Sequence, residues 1–459
     1  MRIAVIGGGI SGLTFSLLAT RAGHDVIVVD RDPPRAGGDV ESAWEQWDRR
    51  SVPQFRQIHG FQAVAHAVLR ERLPEVFGLL HRAGAQDASR VGTVPGADSL
   101  PGSDALVQFQ CRRSTLEWVL RSAVADDGRI DLREGTEVNG LVTYGNTPRI
   151  AGVRTVSSDI AVDLVVDAAG RRSQSAAWFA DAGLPTADHA SVDTKQVYFT
   201  RWFRARESAH LMPYLRVELS FATLMIYPGD AGWFSATFFA PAGDARLRAL
   251  LLDPDRLVAA ARAVPPAADL LDADLVEPHG DVLFMGGLRN HLRRASVTSQ
   301  VAGMVALADA VVCTNPTWGR GVALGMTNAV GLVDVLAEFD DPATVSREFT
   351  RMAVAQLEPW YHDTVFLDAE VNAHWSRARD GVSDSQAPPG ARSLLDALAA
   401  ARVDPVVSVA WARYRNLLDP PSAFWADQQI NDRVRAAIAD GAPPVTLESP
   451  SRADFDALS

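Results

Sequence analysis

The sequence predicts an α/β fold in which a domain built on a βαβ unit is interleaved with an antiparallel-sheet domain and followed by a helical region. Three observations lead to this prediction. Residues 1–32 have the pattern of strand, glycine turn, helix and strand. Residues 196–240 contain three segments that alternate aromatic and polar residues, as in an antiparallel sheet with a buried face. Beyond Gly319 the chain has a helical pattern over most of its length.

A glycine turn follows the first predicted strand, Arg2–Ile6, and has the spacing G-x-G-x-x-G at Gly7, Gly9 and Gly12. Gly7 permits a tight turn, Gly9 lets a pyrophosphate approach the backbone, and Gly12 allows the next helix to pack closely on the strand. Because strand, glycines, helix and second strand follow in register, the pattern predicts a Rossmann-type dinucleotide-binding unit.

The residues around this turn extend the predicted site. Ile10 and Ser11 lie in the turn just before the predicted helix, Thr14–Ala22, whose N-terminus has free N–H groups and a partial positive charge that favour phosphates. Asp30 ends the second strand, where a carboxylate can accept hydrogen bonds from a ribose diol. Asp30 disfavours a 2′-phosphate on that ribose, although Arg31 follows it directly. The motif alone does not distinguish FAD from NAD(P).

The composition excludes several classes of partner and site. The 459 residues carry a net charge of −12, so nucleic acid and anionic membranes are not expected partners. The only cysteines, Cys111 and Cys313, have no paired spacing and the histidines are scattered, so we predict neither a disulfide framework nor a metal site. We find no apolar run that predicts a membrane span, and glycines interrupt the apolar N-terminus. The sequence predicts a cytoplasmic protein.

A second possible anion site lies near residue 310. Asp309 follows a predicted buried strand, and Pro316, Gly319 and Gly321 precede a predicted helix. Asp309 could therefore accept hydrogen bonds from sugar-like hydroxyls, and the helix N-terminus could stabilise a partial negative charge. The alternative is a strand, turn and helix with a surface aspartate and no ligand.

A third pattern, DLVVDAAGRRS at residues 163–173, ends another predicted strand. The three patterns together resemble the FAD-dependent monooxygenases with the para-hydroxybenzoate hydroxylase fold, most closely the branch that modifies polyketides and other natural products. The resemblance covers about residues 1–340. It departs from the usual family pattern at Asp167 and Ala308, where that family has glycine, and at Ala169, where it has aspartate. It implies that Asp309 binds the ribityl chain and that the helix after Gly321 faces the flavin pyrimidine edge.

The resemblance also assigns residues outside the glycine turns. Arg113 resembles an arginine that opens a helix and reaches the FAD phosphates. Arg56 and His59, in the stretch VPQFRQIHGF, resemble a segment that lies over the flavin. Val138 is expected among the contacts to the cofactor.

The activity that the resemblance implies is FAD-dependent hydroxylation or epoxidation of a bulky, largely apolar organic substrate by O2, in natural-product biosynthesis, through a flavin C4a-(hydro)peroxide. Electrons would come from NAD(P)H or from a partner flavin reductase. We expect catalytic roles for His59, the best candidate for a general base, and for Arg320 beside the flavin. The substrate is expected to lie against the aromatic sheet, in contact with Tyr198, Trp202, Phe221, Phe234 and Trp318.

Three other functions are compatible with an FAD site. The first is an FAD-dependent dehydrogenase or reductase, and the second is a non-redox cyclase that uses FAD as a structural scaffold. The third, a flavin halogenase, would need a lysine close to the substrate and a GWxWxIP segment. The only lysine is Lys195, and the stretch GDAGWFSATF does not match that segment.

The predicted domains are discontinuous in sequence, because the antiparallel sheet interrupts the Rossmann-type unit. The predicted boundaries are an FAD-binding domain at 1–60, 100–195 and 285–345, a substrate domain at 61–99 and 196–284, and a C-terminal helical region at 346–459.

Overall fold

The predicted α/β fold is confirmed by a computed structural model, which describes residues 1–458 apart from 37, 93, 145–148, 185–188, 207–212, 295–300 and 380–392. Its strands are β1 Arg2–Ile6, β2 Asp25–Asp30, β3 Gln86–Ser89, β4 Val107–Gln110, β5 Ile130–Glu134, β6 Val138–Thr143, β7 Ile150–Thr155, β8 Asp159–Ala161, β9 Leu164–Asp167, β10 His189–Asp193, β11 Gln196–Ala205, β12 Leu215–Leu219, β13 Thr223–Pro228, β14 Trp233–Pro241, β15 Val276–Met285, β16 Arg289–Arg293, β17 Met304–Ala306, β18 Val312–Cys313 and β19 Thr446–Leu447.

Helices cover the parallel sheet and build most of the C-terminal part. They are α1 Ile10–Arg21, α2 Val40–Gln46, α3 Ala63–Arg72, α4 Pro74–Arg82, α5 Arg113–Asp126, α6 Ser175–Asp181, α7 Ala245–Leu252, α8 Pro254–Ala263, α9 Pro265–Ala268, α10 Gly321–Glu338, α11 Pro342–Arg379, α12 Leu394–Ala400, α13 Pro405–Arg415, α14 Pro421–Trp425, α15 Gln428–Ala439 and α16 Arg452–Asp456.

A parallel sheet with the strand order β17-β9-β1-β2-β5 carries the glycine turn. Strands β1, β2, β9 and β17 are mostly apolar on both faces, because both faces are buried, whereas the edge strand β5 is polar and partly exposed. Ile3 and Val5 of β1 pack with residues of α1, α5 and α10, whereas Ala4 and Ile6 face the sheet formed by β6, β7 and β8. Because β1, β9 and β17 are parallel neighbours, the turns that follow their carboxyl ends lie side by side.

A six-stranded sheet with the order β15-β11-β14-β13-β12-β19 forms the second layer. It is antiparallel except that β19 pairs in parallel with β12. Alternate side chains of its strands point to opposite faces. Phe199 and Phe234 pack in a core with α7 and α8, whereas Tyr198 and Phe239 belong to a core shared with the C-terminal helices.

Several local predictions are wrong. Residues 33–57 are polar and rich in Pro, Gly and Arg, which predicts a loop, but they contain α2, which begins at Asp39 through a capping box with Ser42. The predicted three aromatic segments are four strands. The largely apolar run at 160–166 predicts one strand, but it is divided between β8 and β9. Ser114 is a residue type that favours a helix N-cap, but the N-cap of α5 is Arg112. In each case the residues at the end of the helix or strand have no clear pattern in the sequence. Contacts with distant parts of the chain determine where the element begins or ends.

The parallel sheet takes its strands from three separate stretches of chain, at residues 2–30, at 130–167 and at 304–306. The antiparallel sheet takes most of its strands from residues 196–285. The predicted domain boundaries are compatible with this topology, and the division into domains stays a prediction.

Helix α10 is long and apolar enough to cross a membrane by length and composition alone, but 56% of it is buried inside the fold. It packs against α1. A Cβ on Gly325 would lie 2.1 Å from Oγ of Ser11, so a larger residue there would have to displace the Ser11 hydroxyl. The contact places the start of α1 and the start of α10 next to each other.

Candidate functional site

One cavity of about 400 Å³ joins the three turns that the sequence analysis singled out. The glycine turn after β1 and the turn after β9 line one end of it. The segment from Asp309 to Val322 lines its middle, and side chains from the six-stranded sheet and from α13 line the other end. A ligand bound here would therefore contact the parallel sheet, the antiparallel sheet and the C-terminal helices.

The first glycine turn has the geometry that close backbone contacts require. Gly7 has a φ of +106°, and a Cβ there would lie 2.7 Å from the carbonyl oxygen of Ala168. A Cβ on Gly12 would lie 2.2 Å from the carbonyl oxygen of Gly7. A Cβ on Gly9 would meet no protein atom within 4 Å, because Gly9 faces the cavity. Ile10 and Ser11 also line it, at the start of α1.

Asp30 lines the cavity, but two buried arginines hold its carboxylate. Arg49 Nη1 donates to Asp30 Oδ2 at 2.7 Å, and Arg121 Nη2 donates to the same oxygen. Burial alone would raise the pKa of Asp30, but Arg49 and Arg121 outweigh burial and hold this pKa below its ordinary value. Oδ1 accepts a bond of 3.2 Å from the backbone N–H of Asp32, so this oxygen is the one less committed to the arginines.

Arg49 is a site residue that the sequence analysis missed. Its guanidinium also donates to the carbonyl oxygen of Gly8 at 3.1 Å and to Oε2 of Glu117 at 3.2 Å. Arg121 donates to the same Gly8 oxygen at 3.0 Å. Arg49 thus ties the glycine turn to β2 and α5. No motif marks it in the sequence, because it lies in a polar stretch that was predicted to be loop.

Asp309 lines the middle of the cavity, beside the start of α10. A Cβ on Gly321 would lie 3.5 Å from Asp309 Oδ1, so the carboxylate faces the helix N-terminus. Burial raises the pKa of Asp309, and the charges of Arg113 and Arg171 offset part of this effect. Pro316 begins a short helical turn that ends at Gly319, where φ is +66°. This turn places the N-terminus of α10 in the cavity wall.

His59 and Arg113 line the cavity as a bonded pair. Arg113 Nη1 lies 3.0 Å from His59 Nε2, and Nδ1 of His59 lies 3.0 Å from the carbonyl oxygen of Gln57. Since a carbonyl can only accept, Nδ1 carries the proton and Nε2 accepts from Arg113. Burial, and then the charge of Arg113, lower the pKa of His59 to about 3. The lone pair of His59 is thus occupied, which disfavours the predicted role as a general base.

Arg320 also lines the cavity, but its guanidinium is bonded elsewhere. It donates to Oδ2 of Asp363 at 2.5 Å and to the hydroxyl of Tyr414 at 2.8 Å. These two buried hydrogen bonds join the start of α10 to α11 and α13. The geometry therefore favours a structural role for Arg320 over the predicted catalytic one.

Trp318 is the predicted substrate contact that the structure places in the cavity wall. Its Nε1 donates to Oδ1 of Asp368 at 2.9 Å, and its ring is only 1% exposed. Arg31 and Val138 line the dinucleotide end of the same cavity, together with Trp178.

Six predicted site residues do not line the cavity. Gly12 lies beneath the turn, against the carbonyl oxygen of Gly7. The guanidinium of Arg56 donates to backbone carbonyls of α2 and its C-cap, because it stacks on Trp44 instead of facing the cavity. Phe221 and Phe234 pack in the core that α7 and α8 cover. Tyr198 and Trp202 lie on the cavity side of the sheet, but their polar atoms bond to other residues of the protein and neither side chain reaches the cavity wall. Tyr198 bonds to Asn315, and Trp202 donates to the carbonyl oxygen of Arg56 at 2.7 Å.

The substrate end of the cavity consists mainly of residues that the sequence analysis did not assign. These are Met225, Tyr227, Phe239 and Met285 from the sheet, Arg90, Gln108 and Tyr214 near it, and Trp411, Arg415 and Asn416 from the C-terminal part. The alternation within β13 and β14 could have suggested the sheet residues, but both faces of these strands are buried, so the pattern does not distinguish them. No pattern pointed to the C-terminal residues.

Comparisons with known proteins agree with this architecture. Residues 5–82 match the family model described as NAD(P)-binding Rossmann-like domain. The chain is 25% identical over 450 residues to Protein Rv3254 of Mycobacterium tuberculosis (strain ATCC 25618 / H37Rv), and the match covers 90% of this chain and 89% of that protein.

Three solved structures share the fold at low sequence identity. PqsL, a probable FAD-dependent monooxygenase from Pseudomonas aeruginosa, is 16% identical with a TM-score of 0.59 over 83% of this chain and 98% of that one. The flavin-dependent brominase Bmp2 is 14% identical, with a TM-score of 0.60 over 96% and 99%. A flavoprotein/dehydrogenase from Cytophaga hutchinsonii is 12% identical, with a TM-score of 0.62 over 96% and 100%.

Proposed function

We propose that the protein is an FAD-dependent monooxygenase that hydroxylates or epoxidises a bulky organic substrate with a largely apolar body. One observation carries the proposal: the cavity runs without interruption from the open backbone at Gly9, past the Asp309 carboxylate and the start of α10, to a wall of aromatic and methionine side chains. Such a cavity suits a dinucleotide with a reactive ring at one end and an organic substrate against that ring.

The residues of the cavity fit FAD. Gly9, Ile10 and Ser11 would bind the pyrophosphate at the start of α1, where free N–H groups point outward. Asp30 would accept from the adenosine ribose, and Asp309 from hydroxyls of the ribityl chain. Bound FAD would supply hydride acceptance and the reaction with O2.

The protein groups around the reactive ring would orient the reactants and stabilise charge. The start of α10 carries a partial positive charge that stabilises negative charge developing on a group placed against it. Trp318, Met225, Tyr227 and Phe239 would exclude water from the substrate and hold it on one side. Among the described residues, His59 is the histidine that lines the cavity, and its Nε2 accepts from Arg113.

Two observations bear on the alternatives. Lys195, the only lysine of the chain, does not line the cavity, which disfavours a halogenase that needs a lysine beside its substrate. The similarity to a flavoprotein/dehydrogenase keeps dehydrogenation as the second candidate, because both reactions use the same FAD site.

The proposed reaction needs an electron donor and two substrates. We propose that NAD(P)H or a partner flavin reductase supplies the electrons, that O2 is the second substrate, and that the organic substrate is a natural product or its precursor. The net charge of −12 agrees with a cytoplasmic protein that has small-molecule partners.

The experiment is product analysis under ¹⁸O2. The purified protein, supplied with FAD, a flavin-reducing system and candidate organic substrates, should give a product that carries one ¹⁸O atom. A product that has lost two hydrogens and carries no ¹⁸O would assign the protein to the dehydrogenases. A rearranged product of unchanged mass would assign it to the cyclases.

A further inference from the structure

The substrate end of the cavity contains two arginines without a carboxylate partner. In the part of the chain that the structure describes, neither Arg90 nor Arg415 has a carboxylate oxygen within 4.0 Å. Nη1 of Arg415 and Nη2 of Arg90 are buried and make no hydrogen bond to any described residue. Both side chains line the cavity. Both residues are partly buried, whereas Arg49, Arg112 and Arg320 are fully buried and each has a carboxylate partner.

Aromatic rings fix the position of each guanidinium. Cζ of Arg415 lies 5.0 Å from the ring centroid of Trp318 and 5.9 Å from that of Trp411. Cζ of Arg90 lies 4.8 Å from the ring centroid of Tyr214. A guanidinium that stacks on a ring keeps its N–H groups free at the edge, and that planar edge matches the two oxygens of a carboxylate.

The charge around these arginines is positive. The described carboxylates that line the cavity are Asp30 and Glu137 at the dinucleotide end and Asp309 in the middle, so none of them lies at the substrate end. Burial, and then the charge of Arg320, lower the pKa of Arg415 to about 10, so it stays charged at neutral pH. A buried cation without a partner is costly, and a bound anion would remove most of this cost.

A hydrogen-bond network connects this end to the turn before α10. Nε of Arg90 donates to Gln108 at 2.7 Å, and Nε2 of Gln108 donates to Gln62 and Asn416 at 2.6 Å each. Nε2 of Gln62 in turn donates to the carbonyl oxygen of Gly319 at 3.3 Å. An anion held by Arg90 is thus oriented relative to the turn at Gly319, where the reactive ring is proposed to lie.

We propose that Arg415 and Arg90 form an anion subsite, and that the substrate carries a carboxylate on its otherwise apolar body. This inference rests on the proposed function and specifies its substrate class. The carboxylate would bind at the edge of the guanidinium groups, and the apolar part would lie between Trp318 and the side chains of Met225, Tyr227 and Phe239.

The test compares organic carboxylates with their uncharged amides on the FAD-loaded protein. Benzoate, cinnamate and 2-naphthoate, each with its primary amide, are titrated by calorimetry. The carboxylates should bind at least about tenfold more tightly than the amides, as expected for a charge-assisted hydrogen bond. If no carboxylate binds more tightly than its amide, the proposal is wrong.

Variants assign the preference to the two arginines. Arg415→Met and Arg90→Met keep an apolar stem for stacking and should each reduce the ratio of carboxylate to amide affinity, whereas Arg415→Lys should retain part of it. Arg435→Met, in an exposed pair with Asp432, is the matched control and should leave the ratio unchanged. If the double variant Arg90→Met/Arg415→Met kept the wild-type ratio of carboxylate to amide affinity, the proposal would be wrong.

The FAD content of every variant is measured first. A wild-type protein that cannot be loaded with FAD contradicts the proposed function, whereas full loading without a carboxylate preference contradicts only the anion subsite. Full loading of the arginine variants also shows that they are folded.

Discussion

Arg113 Nη1 lies 3.0 Å from His59 Nε2, and this contact decides the protonation state of the histidine. Because burial and the charge of Arg113 lower the pKa of His59 to about 3, the imidazole is neutral at every physiological pH. The ¹³C and ¹H resonances of His59 should therefore show no titration between about pH 5 and pH 8. A titration midpoint near the ordinary value of 6.5 would contradict this geometry.

The same contact predicts how stability depends on pH. The unfolded chain protonates His59 below pH 6.5 but the folded chain does not, so the unfolded state binds more protons and stability falls as the pH drops from 6.5 toward 3. His59→Gln should remove up to about 1 kcal/mol per pH unit of this loss. Urea denaturation from neutral to mildly acid pH measures it, with His362→Gln, at an exposed side chain, as the control.

Replacement of Gly9 by valine should abolish FAD binding without unfolding the protein. The φ of Gly9 is −85°, which valine can adopt, and a Cβ there meets only open cavity. The side chain would occupy the volume of the pyrophosphate, so we expect the affinity for FAD to fall by more than about 100-fold. Gly243→Val, whose Cβ also meets no protein atom but lies outside the cavity, should bind FAD normally. Equal FAD occupancy in the two variants would contradict the assignment of the turn.

Loss of the Asp309 carboxylate should weaken FAD more than loss of Asp163. Asp309 lines the cavity, whereas Asp163 accepts a bond of 2.7 Å from the backbone N–H of Arg2 at an exposed position. Removal of a charged acceptor for a ligand hydroxyl costs about 1.5–3 kcal/mol, or roughly 10- to 100-fold in affinity. Fluorescence titration of FAD into Asp309→Ala and Asp163→Ala measures the difference. Identical dissociation constants would show that Asp309 makes no such contact.

Arg49 should matter for stability far more than its neighbour Arg50. Removal of Arg49 leaves Asp30 and Glu117 with fewer partners in a buried site, and breaking such a pair costs about 3–5 kcal/mol. The side chain of Arg50 is 85% exposed, so Arg50→Met should change the free energy of unfolding by no more than about 0.5 kcal/mol. Denaturant unfolding of Arg49→Met and Arg50→Met provides the test, and similar values would refute the role assigned to Arg49.

The sequence was informative where one local pattern is sufficient to define the structure. The spacing of Gly7, Gly9 and Gly12 between two apolar strands predicts both the turn and its parallel sheet, because strand, turn, helix and second strand follow one another within about 30 residues of chain. The same kind of local pattern indicates Asp309, since it follows a strand and precedes a glycine turn. Gly7, Gly9 and Asp309 all line the cavity.

The substrate end depends on contacts between distant parts of the chain. Phe234 and Phe239 look alike in sequence, yet the first packs under α8 and the second lines the cavity, because strand side chains alternate and both faces of β14 are buried. Arg49 and Arg415 have no motif. The role of Arg49 follows from its carboxylate partners, and that of Arg415 from the lack of a described partner for its Nη1. Both features depend on the folded structure.

The measurement that tests the central claim most directly is the identity of the cofactor that the cavity binds. Protein purified without added nucleotide, or loaded with FAD and desalted, is denatured in acid, and the released compound is identified by chromatography and mass spectrometry. We expect noncovalent FAD at close to one molecule per chain, and much less FAD from Gly9→Val. Release of FMN or NAD instead of FAD, or failure of the folded protein to retain FAD after loading, would contradict it.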